Sequence, residues 1–563
     1  MSAAARALLG RIPLDHRIFL AALLPYAAVR AQQAAHTHGM SVDGGYYTDV
    51  ARHVRDGLGL QTHISVFHFG YPSLPHPSSV YPAWPVLLGL VGKVVPLDAA
   101  AHWLPMLLSL VAVGAMYLLG RRLWPAPVLP QVAPGVHAGH LFALGLAVHR
   151  EFLVYTVLPY TEGMAWAALG LFLLRAAQQE GPPRLRWGLE AGLWLGGLYL
   201  IRSQFIVVAA AFAIGQLAAV ALGPARGRAL GALLLCQLVV GLTLAGWHRY
   251  LSGFLLEPGL GALLRFDQHR VTDLLPPLEV IVDTAGPVET LRDRLLGLRA
   301  SFNDIDRDAY DAAYHGLHWA LPMALCLAPA VLRDRLRAEA AAQGGVGPGL
   351  RALLRAAVAR PDRDLWIFLI TLAVGGFVSV HAVHKHFNGE WYFARRQGLM
   401  SLPLFLLSFG WMFNRPERFG KIVGSVIFVV VAWIGTRQVF YEASERTSIN
   451  KQVDIHDDLV AWLRAREREE GPLVVVMDDD ASKRLGYRTR RVGYHWIEAR
   501  TRLQDVLKLV DQRGARYLIL RSDAQKWRVL KDDPATFAAR FELVAQRFDQ
   551  MRVYRVRGPG EQP

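Results

Sequence analysis

Apolar residues in this chain are gathered into long runs, and short polar segments rich in arginine separate these runs. Most runs are about 15 to 22 residues long, which is the length of α-helix that crosses a bilayer. They predict about eleven spans, at roughly 18–35, 101–120, 136–149, 158–174, 187–201, 204–222, 229–248, 317–332, 364–383, 398–413 and 420–438. The pattern therefore predicts a polytopic α-helical membrane protein.

The first run is short and rich in alanine, and it follows three arginines, Arg6, Arg11 and Arg17. A cleaved signal peptide has the same features, so it stays open as an alternative to an uncleaved span, which we favour. Either interpretation places the following loop, at about 36–82, outside the cytoplasm.

A helix lying on the membrane surface is predicted inside this first outer loop. Its apolar residues share one helical face: Tyr47, Val50, Ala51, Val54 and Leu58. The charged Asp49, Arg52 and Asp56 are expected to lie away from that face. A shorter apolar piece at 84–95 contains Lys93 and is predicted to be interfacial or re-entrant.

Arginine and lysine residues fix the predicted orientation, because they concentrate in alternate short loops. These loops carry Arg121 and Arg122; Arg175, Arg184 and Arg186; Arg226 and Arg228; Arg333 to Arg363; and Arg415, Arg418 and Lys421. All of them become cytoplasmic when the N-terminus is inside. The opposite side then receives the first loop and a long loop at about 249–316.

From about residue 441 the composition changes to that of a soluble protein, and helical and strand patterns alternate. Helices are predicted at 459–466, 503–510 and 537–544, and strands at 473–477, 517–520 and 551–556. We therefore divide the chain into a membrane domain at 1–440 and a small α/β domain at 441–563. An odd number of spans places the latter outside the cytoplasm.

Composition excludes several other classes of protein. Of 563 residues, 53% are hydrophobic and only 19% are charged, against about 25% in soluble domains. The net charge of +15 resides largely in the short loops, and no basic stripe is interleaved with aromatic residues, so no nucleic-acid partner is expected. The two cysteines, Cys236 and Cys326, lie in apolar runs and are predicted to be core residues.

Two acidic residues are candidates for chemistry at the outer face. Asp43 follows the first span in the string Ser41-Val42-Asp43-Gly44-Gly45-Tyr46-Tyr47. Its carboxylate could take a proton from an incoming hydroxyl or hold a divalent cation, although an N-cap role explains the same pattern. Glu162 lies at the outer end of an apolar span, where an ionisable group either marks a site or is merely interfacial.

Outward-facing basic residues are candidates for holding an anion. His386, Arg395 and Arg396 precede the span at 398–413 and break the arginine asymmetry, and Arg202 lies at the outer tip of a hairpin. A guanidinium offers a planar fork that matches phosphate oxygens. Snorkelling toward lipid headgroups is the alternative explanation. The sequence carries no P-loop, dinucleotide fingerprint, zinc spacing or nucleophile elbow.

The string from Asp43 to His53, continuing through Asp56-Gly57-Leu58-Gly59-Leu60, resembles the first outer loop of the GT-C glycosyltransferases. This superfamily includes the protein O-mannosyltransferases and the lipid A aminoarabinose transferase. The segment Tyr81-Pro82-Ala83-Trp84-Pro85 resembles the family's proline-rich segment, without the lysine that members commonly carry there. Glu162, Arg395 and Arg396 match further acidic and phosphate-facing positions, and the tail resembles the small outer domains of bacterial members.

The resemblance implies a GT-C-like fold and a polyprenyl-phosphate sugar donor, with inversion at the anomeric carbon by direct displacement. It implies that Asp43 deprotonates or orients the acceptor and that Glu162 assists it. Arg395, Arg396, His386 and Arg202 would stabilise the departing phosphate. A divalent cation at Asp43 and Glu162 stays open, and no other cofactor is implied.

Further expectations concern partners and location. The acceptor is a glycan, a lipid or a protein, and the membrane is expected to be a bacterial inner membrane. Two alternatives stay open, a multi-span secondary transporter and a non-catalytic sugar-lipid-binding or assembly protein.

Overall fold

The computed structural model describes residues 12–252 and 450–561, apart from short gaps, the longest of which is 67–74. The chain divides into two compact units. The first unit comprises Met1–Arg30, Leu107–Val154 and Glu162–Glu442, and the second comprises Ala31–Met106, Tyr155–Thr161 and Ala443–Pro563. The four predicted spans from 317 to 438 lie outside the described residues. So does the long loop at 249–316, apart from its first residues. The total number of spans therefore stays a prediction.

Helices dominate the described N-terminal part. They are α1 (Leu14–His36), α2 (Val42–Arg55), α3 (Ala83–Val91), α4 (Leu97–Leu123), α5 (Ala138–Ala147), α6 (Arg150–Tyr155), α7 (Glu162–Ala177), α8 (Leu185–Ile201), α9 (Ile206–Leu222) and α10 (Arg226–Ser252). The apolar runs predicted in this region are thus helical. Two stretches among the described residues, Leu97–Leu123 and Arg226–Tyr250, are long and apolar enough to cross a bilayer.

Glycines let α8 and α10 approach each other closely in the first unit. Gly188, Gly192 and Gly196 are spaced four residues apart, so they form one stripe along α8. A Cβ atom added at Gly192 would lie 2.9 Å from the carbonyl oxygen of Cys236, and one added at Gly188 would collide with the backbone of Ala232. Small residues at this spacing allow backbone contact between helices, as in membrane bundles.

Among the described residues of the N-terminal part there are also five short strands: β1 (Gln61–Thr62), β2 (Ile64–Val66), β3 (His76–Pro77), β4 (Pro127–Leu129) and β5 (Ala133–His137). The C-terminal part contains α11 (Asp457–Glu470), β6 (Leu473–Asp478), β7 (Val492–Ile497), α12 (Leu503–Arg513), β8 (Tyr517–Arg521), α13 (Pro534–Arg540), β9 (Phe541–Phe548) and β10 (Met551–Val556). The predicted C-terminal α/β structure is confirmed.

A six-stranded mixed sheet, in the order β2-β7-β6-β8-β10-β9, forms the core of this part. The first four strands are parallel, and β10 pairs antiparallel with both β8 and β9. Leu463 and Tyr494 belong to one buried cluster, whereas Val506 and Leu518 belong to another. Apolar residues on both faces explain why β6 and β8 appear in the sequence as continuous hydrophobic runs.

The predicted helix at 537–544 is wrong in its second half. Asp533 caps α13 by accepting a bond from the amide of Thr536, and the helix ends at Arg540. The chain then continues as β9, in which Leu543 pairs with Tyr554 of β10. Pairing with the final strand decides the conformation here, since a short apolar run has no strong local preference.

Strand β2 of the first outer loop joins the C-terminal sheet as its edge. It runs parallel to β7, with Ile64 opposite Tyr494, and the amide of Tyr494 donates to the carbonyl oxygen of His63 at 2.8 Å. Tyr46 and Ile64 form a small buried cluster, which attaches α2 to this strand. The sheet therefore includes a strand from the segment 1–440. The division of the chain at 440/441 stays a prediction.

Helix α2 is packed on more than one side. Val50 and Ala51 are fully buried, and a Cβ atom at Gly89 of α3 would lie 2.6 Å from the carbonyl oxygen of Ala51. Asp49 and Arg52, which were predicted to lie away from the apolar face, are both buried. An i, i+3 pair of charges has the same sequence spacing whether it faces water or a second protein surface.

We expect Gly192→Leu to destabilise the first unit by about 1–3 kcal/mol, because the new side chain would force α8 away from α10. Gly197→Leu is the matched control, since nothing lies within 4 Å of a Cβ atom at that position of the same helix. Thermal unfolding of the purified proteins in detergent measures the difference. Equal loss in both variants would contradict the close approach described above.

Because β2 and β7 share a sheet, we expect the first outer loop and the C-terminal part to lie on the same side of any membrane. Cysteines would replace Asp56 or Asp458, both exposed, in a protein whose Cys236 and Cys326 are changed to alanine. A membrane-impermeant maleimide applied to intact cells should label both positions or neither, and permeabilised cells serve as the control. Labelling of one position alone would disprove the shared sheet.

Candidate functional site

Asp43 is the second residue of α2, and five residues separate this helix from α1. Ser41 is the N-cap residue, and its hydroxyl oxygen accepts a hydrogen bond from the amide of Gly44 at 3.1 Å. The N-cap role that could have explained Asp43 therefore belongs to Ser41. The Asp43 side chain is half-buried, and a carboxylate in the first turn is favoured by the helix dipole.

The backbone beside Asp43 is pressed against the segment 155–161. A Cβ atom at Gly44 would lie 2.6 Å from Cγ of Pro159, so only glycine fits this position without displacing the segment. Trp84, which is fully buried, donates its indole N–H to the carbonyl oxygen of Pro159 at 3.0 Å. The imidazole of His102 bonds through Nδ1 to the carbonyl oxygen of Val157 at 2.9 Å. Three parts of the sequence thus hold one short segment.

Glu162 begins α7, immediately after that segment. Its carboxylate is almost fully buried and pairs with Arg202, whose Nη1 donates to Oε1 at 2.7 Å. Arg202 follows the last residue of α8, and its backbone N–H bonds to the carbonyl oxygen of Leu198. The structure thus brings together two of the predicted site residues, which the sequence had assigned to separate roles. Asp43 and Glu162 belong to different compact units.

The remaining predicted residues, His386, Arg395 and Arg396, lie outside the described residues. Their assignment to the donor phosphate stays a prediction.

Sequence reasoning missed the buried pair formed by Asp49 and Arg52 in α2. The Asp49 carboxylate is completely buried and accepts from the Arg52 guanidinium, from the hydroxyl of Thr62 at 2.7 Å and from the amide of His63 at 2.8 Å. A buried carboxylate with three donors satisfies the rule that buried charge must be paired and hydrogen-bonded. The string Asp49-Val50-Ala51-Arg52 contained this signal only as an i, i+3 charge pair.

Arg52 also reaches the C-terminal part of the chain. Its Nη1 donates to the carbonyl oxygens of Tyr487, at 3.0 Å, and of Thr489. The Thr489 hydroxyl lies 2.9 Å from the hydroxyl of Tyr494, and burial raises the pKa of that phenol, so Tyr494 stays neutral. A continuous hydrogen-bond network therefore runs from α2 to β7.

Asp49, His53 and His63 offer ligand atoms within 4.8 Å of one another, a spacing that a metal ion could bridge. The hydrogen bonds that these side chains already make argue against metal binding. Both oxygens of Asp49 already accept bonds from protein donors, and Arg52 donates to Nδ1 of His63 at 3.3 Å. A cation would have to displace the guanidinium, so the residues fit a structural network better than a metal site.

Arg30 is a second buried charge that sequence reasoning missed. It lies near the end of α1, is completely buried, and its Nη2 donates to the carbonyl oxygen of Leu153 at 2.8 Å. An arginine within an apolar run marks a functional position by default. That signal was present in the sequence, where Arg30 interrupts the first predicted span.

Neither a family model nor a curated protein matches the sequence. Solved structures do match. The archaeal oligosaccharyltransferase AglB from Archaeoglobus fulgidus, in complex with an inhibitory peptide and a dolichol-phosphate, aligns with 93% of this chain and 72% of its own at 11% identity and a TM-score of 0.49. ArnT from Cupriavidus metallidurans bound to undecaprenyl phosphate aligns over 98% of both chains at 14% identity and a TM-score of 0.43. Both are similarities of structure at low sequence identity.

Proposed function

We propose that this protein is an inverting glycosyltransferase of the membrane, which moves a sugar from a polyprenyl-phosphate donor to an acceptor. The observation that carries the proposal is the position of Asp43. Its carboxylate lies in the first turn of a buried helix, directly after an apolar helix, and Ser41 takes over the capping role. A half-buried carboxylate in the first turn of a helix that Ser41 caps is suited to act on an acceptor hydroxyl.

Exposed apolar side chains support a location in a membrane. On α10, Leu234, Leu238 and Leu242 are between 57% and 63% exposed and lie on one helical face. On α9, Ile214 and Leu217 are exposed to a similar degree. Contiguous apolar surface of this kind is rare on soluble monomers and common where lipid covers the protein.

The shared sheet supports the proposed orientation. Strands β2 and β7 must lie on one side of the membrane, so the chain between them crosses an even number of times. The predicted spans between these strands number ten, from 101–120 to 420–438, which agrees with this parity. With a cytoplasmic N-terminus, the site at Asp43 and the C-terminal domain both face outward, in what we infer to be a bacterial inner membrane.

The proposed reaction is a direct displacement at the anomeric carbon. Asp43 accepts the proton of an acceptor hydroxyl, or orients that hydroxyl. The oxygen of the acceptor hydroxyl meanwhile forms a bond to the anomeric carbon. The bond from that carbon to the phosphate oxygen breaks, and polyprenyl phosphate leaves with the electron pair. Negative charge grows on the departing phosphate, where cationic side chains stabilise the transition state.

Among the residues that the structure describes, Arg202 is the candidate for this contact with the phosphate. A guanidinium carries five N–H donors, and the bond to Glu162 uses one of them. Glu162 then acts as a positioning residue that fixes the direction of the guanidinium. His386, Arg395 and Arg396 complete the proposed phosphate group, and a divalent cation at Asp43 or Glu162 is an alternative role for these carboxylates. The acceptor is a glycan, a lipid or a protein.

We expect Asp43→Asn to lower turnover by about 10²-fold to 10⁴-fold, because the amide cannot accept the acceptor's proton. Purified protein in nanodiscs would be incubated with radiolabelled polyprenyl-phosphate sugars and membrane extract, and release of sugar from the lipid would be followed. Asp56→Asn, at the exposed end of the same helix, is the control and should retain activity. Equal release by wild type and Asp43→Asn would remove Asp43 from the mechanism, and solute flux without any release would favour a transporter.

We expect Glu162→Gln to lower both the melting temperature and the donor kcat/KM, because it leaves the Arg202 charge buried without its counter-ion at a cost of about 3–5 kcal/mol.

Arg202→Lys should raise the donor KM about tenfold or more, since it keeps the charge but loses the planar fork. Glu190→Gln is the control, because Glu190 pairs with Arg175 between the same two helices at a half-exposed site worth at most about 1 kcal/mol. An unchanged donor KM in Arg202→Lys would remove Arg202 from the phosphate site.

A further inference from the structure

A cavity lies within the second compact unit, and Asp43 is not among the residues that line it. Its volume is about 410 Å³, which is within the range of small-molecule sites, about 300–1,000 Å³. The walls come from the end of α1, the start of α4, the start of α11 and the segment that leads to β7. The residues that matter for the argument are Asp98, His102, Trp103, Asp457 and Arg488.

Two buried polar atoms of the cavity walls have no partner among the described residues. One is Nε2 of His102, a side chain that is only 4% exposed. Since Nδ1 of this ring bonds to the carbonyl oxygen of Val157, it carries the proton, and Nε2 is left as an acceptor. The other is Nη1 of Arg488, which is a donor. Unsatisfied buried groups of this kind are costly, and a ligand that pairs with them would bind favourably.

The charges of the cavity distinguish between classes of ligand. Arg488 is already neutralised, because its Nη2 donates to Oδ1 of Asp457 at 2.5 Å. Asp98 adds a further carboxylate near the exposed surface. The walls therefore carry no excess of positive charge, which disfavours phosphate and other anions.

The chemistry that fits is a ring bearing several hydroxyl groups. Each hydroxyl both donates and accepts, so one such ring can serve the lone pair of His102, the carboxylate of Asp98 and the N–H of Arg488. Trp103, which is 37% exposed, lines the same cavity and offers an aromatic face against which the apolar face of the ring can pack.

We propose that this cavity is a carbohydrate-binding site, distinct from the group around Asp43, and that it holds a sugar ring of the acceptor glycan or of the donor. Recognition of the sugar follows from the cavity itself, and only its role in transfer rests on the proposed function.

Ligand-observed saturation-transfer NMR on the full-length protein in nanodiscs tests the site. The probes are the methyl glycosides of common hexoses, 6-deoxyhexoses, pentoses and N-acetylhexosamines, with inorganic phosphate as a comparison. At least one glycoside should bind, and its affinity should fall tenfold or more in Asp98→Ala and in His102→Phe. Asp458→Asn, next to Asp457 but outside the cavity, should bind as wild type does.

A variant that fills the cavity distinguishes loss of the site from loss of folding. Ala35 lines the cavity and is exposed, so Ala35→Phe should occlude the site while the melting temperature stays unchanged. The proposal is overturned if no glycoside binds, if the cavity variants bind as wild type does, or if phosphate binds in a His102-dependent manner.

Two further arms identify the source of the sugar and separate this proposal from the transferase proposal. Undecaprenyl phosphate carrying the sugar of the bound glycoside should displace that glycoside if the cavity holds the donor sugar, and should leave it bound if the cavity holds the acceptor. Glycoside binding requires no turnover. If a glycoside binds to a protein that shows no transferase activity, the carbohydrate-site proposal therefore stands and the proposed function is rejected.

Discussion

The buried ion pair between Asp49 and Arg52 is the interaction on which the arrangement of the second unit depends. Asp49 gathers Thr62 and His63, which fixes the start of β2, and Arg52 holds the carbonyl oxygens of Tyr487 and Thr489. A change that removed either charge would leave the other buried, at a cost of about 3–5 kcal/mol. Asp43 lies six residues before Asp49 on the same helix, so this pair also fixes the candidate catalytic carboxylate.

These bonds join parts of the chain that are more than 400 residues apart in sequence. Asn450 adds to them, since its side chain donates to the carbonyl oxygen of His36 and accepts from the amide of Gly39 at 3.0 Å. Closing so long a loop has an entropic cost that grows only slowly with its length. Several modest polar contacts and one shared strand are therefore enough to hold the end of α1, helix α2 and the C-terminal sheet in one unit.

Local patterns in the sequence predicted most of the individual elements. The apolar runs that became α4 and α10 and the strand runs at β6 and β8 each carry a strong local signal of length or composition. The edge strand β2 has three residues and exists only because β7 offers it a partner, and β9 likewise depends on β10. No local rule could have placed either strand, because the stabilising contacts are distant in sequence.

The candidate site was predictable to a similar extent. The position of Asp43 after an apolar run and before a helix was visible in the sequence, whereas the choice between catalysis and capping was not. Ser41 settles the capping part of that question by a single hydrogen bond. The pairing of Glu162 with Arg202 could not be foreseen, because it joins the first residue of α7 to the residue after α8, and no spacing rule connects them.

The two acidic candidates thus have different surroundings, and this difference favours different roles. Glu162 is buried and committed to a guanidinium, which suits a residue that holds a cationic side chain in place. Asp43 is half-buried at a helix start whose cap is already provided, which suits a residue that meets a substrate. Enzymes that use two carboxylates commonly separate acid-base work from electrostatic support by just such a contrast of environment. We therefore propose that Asp43 takes the proton and that Arg202, the partner of Glu162, holds the phosphate charge.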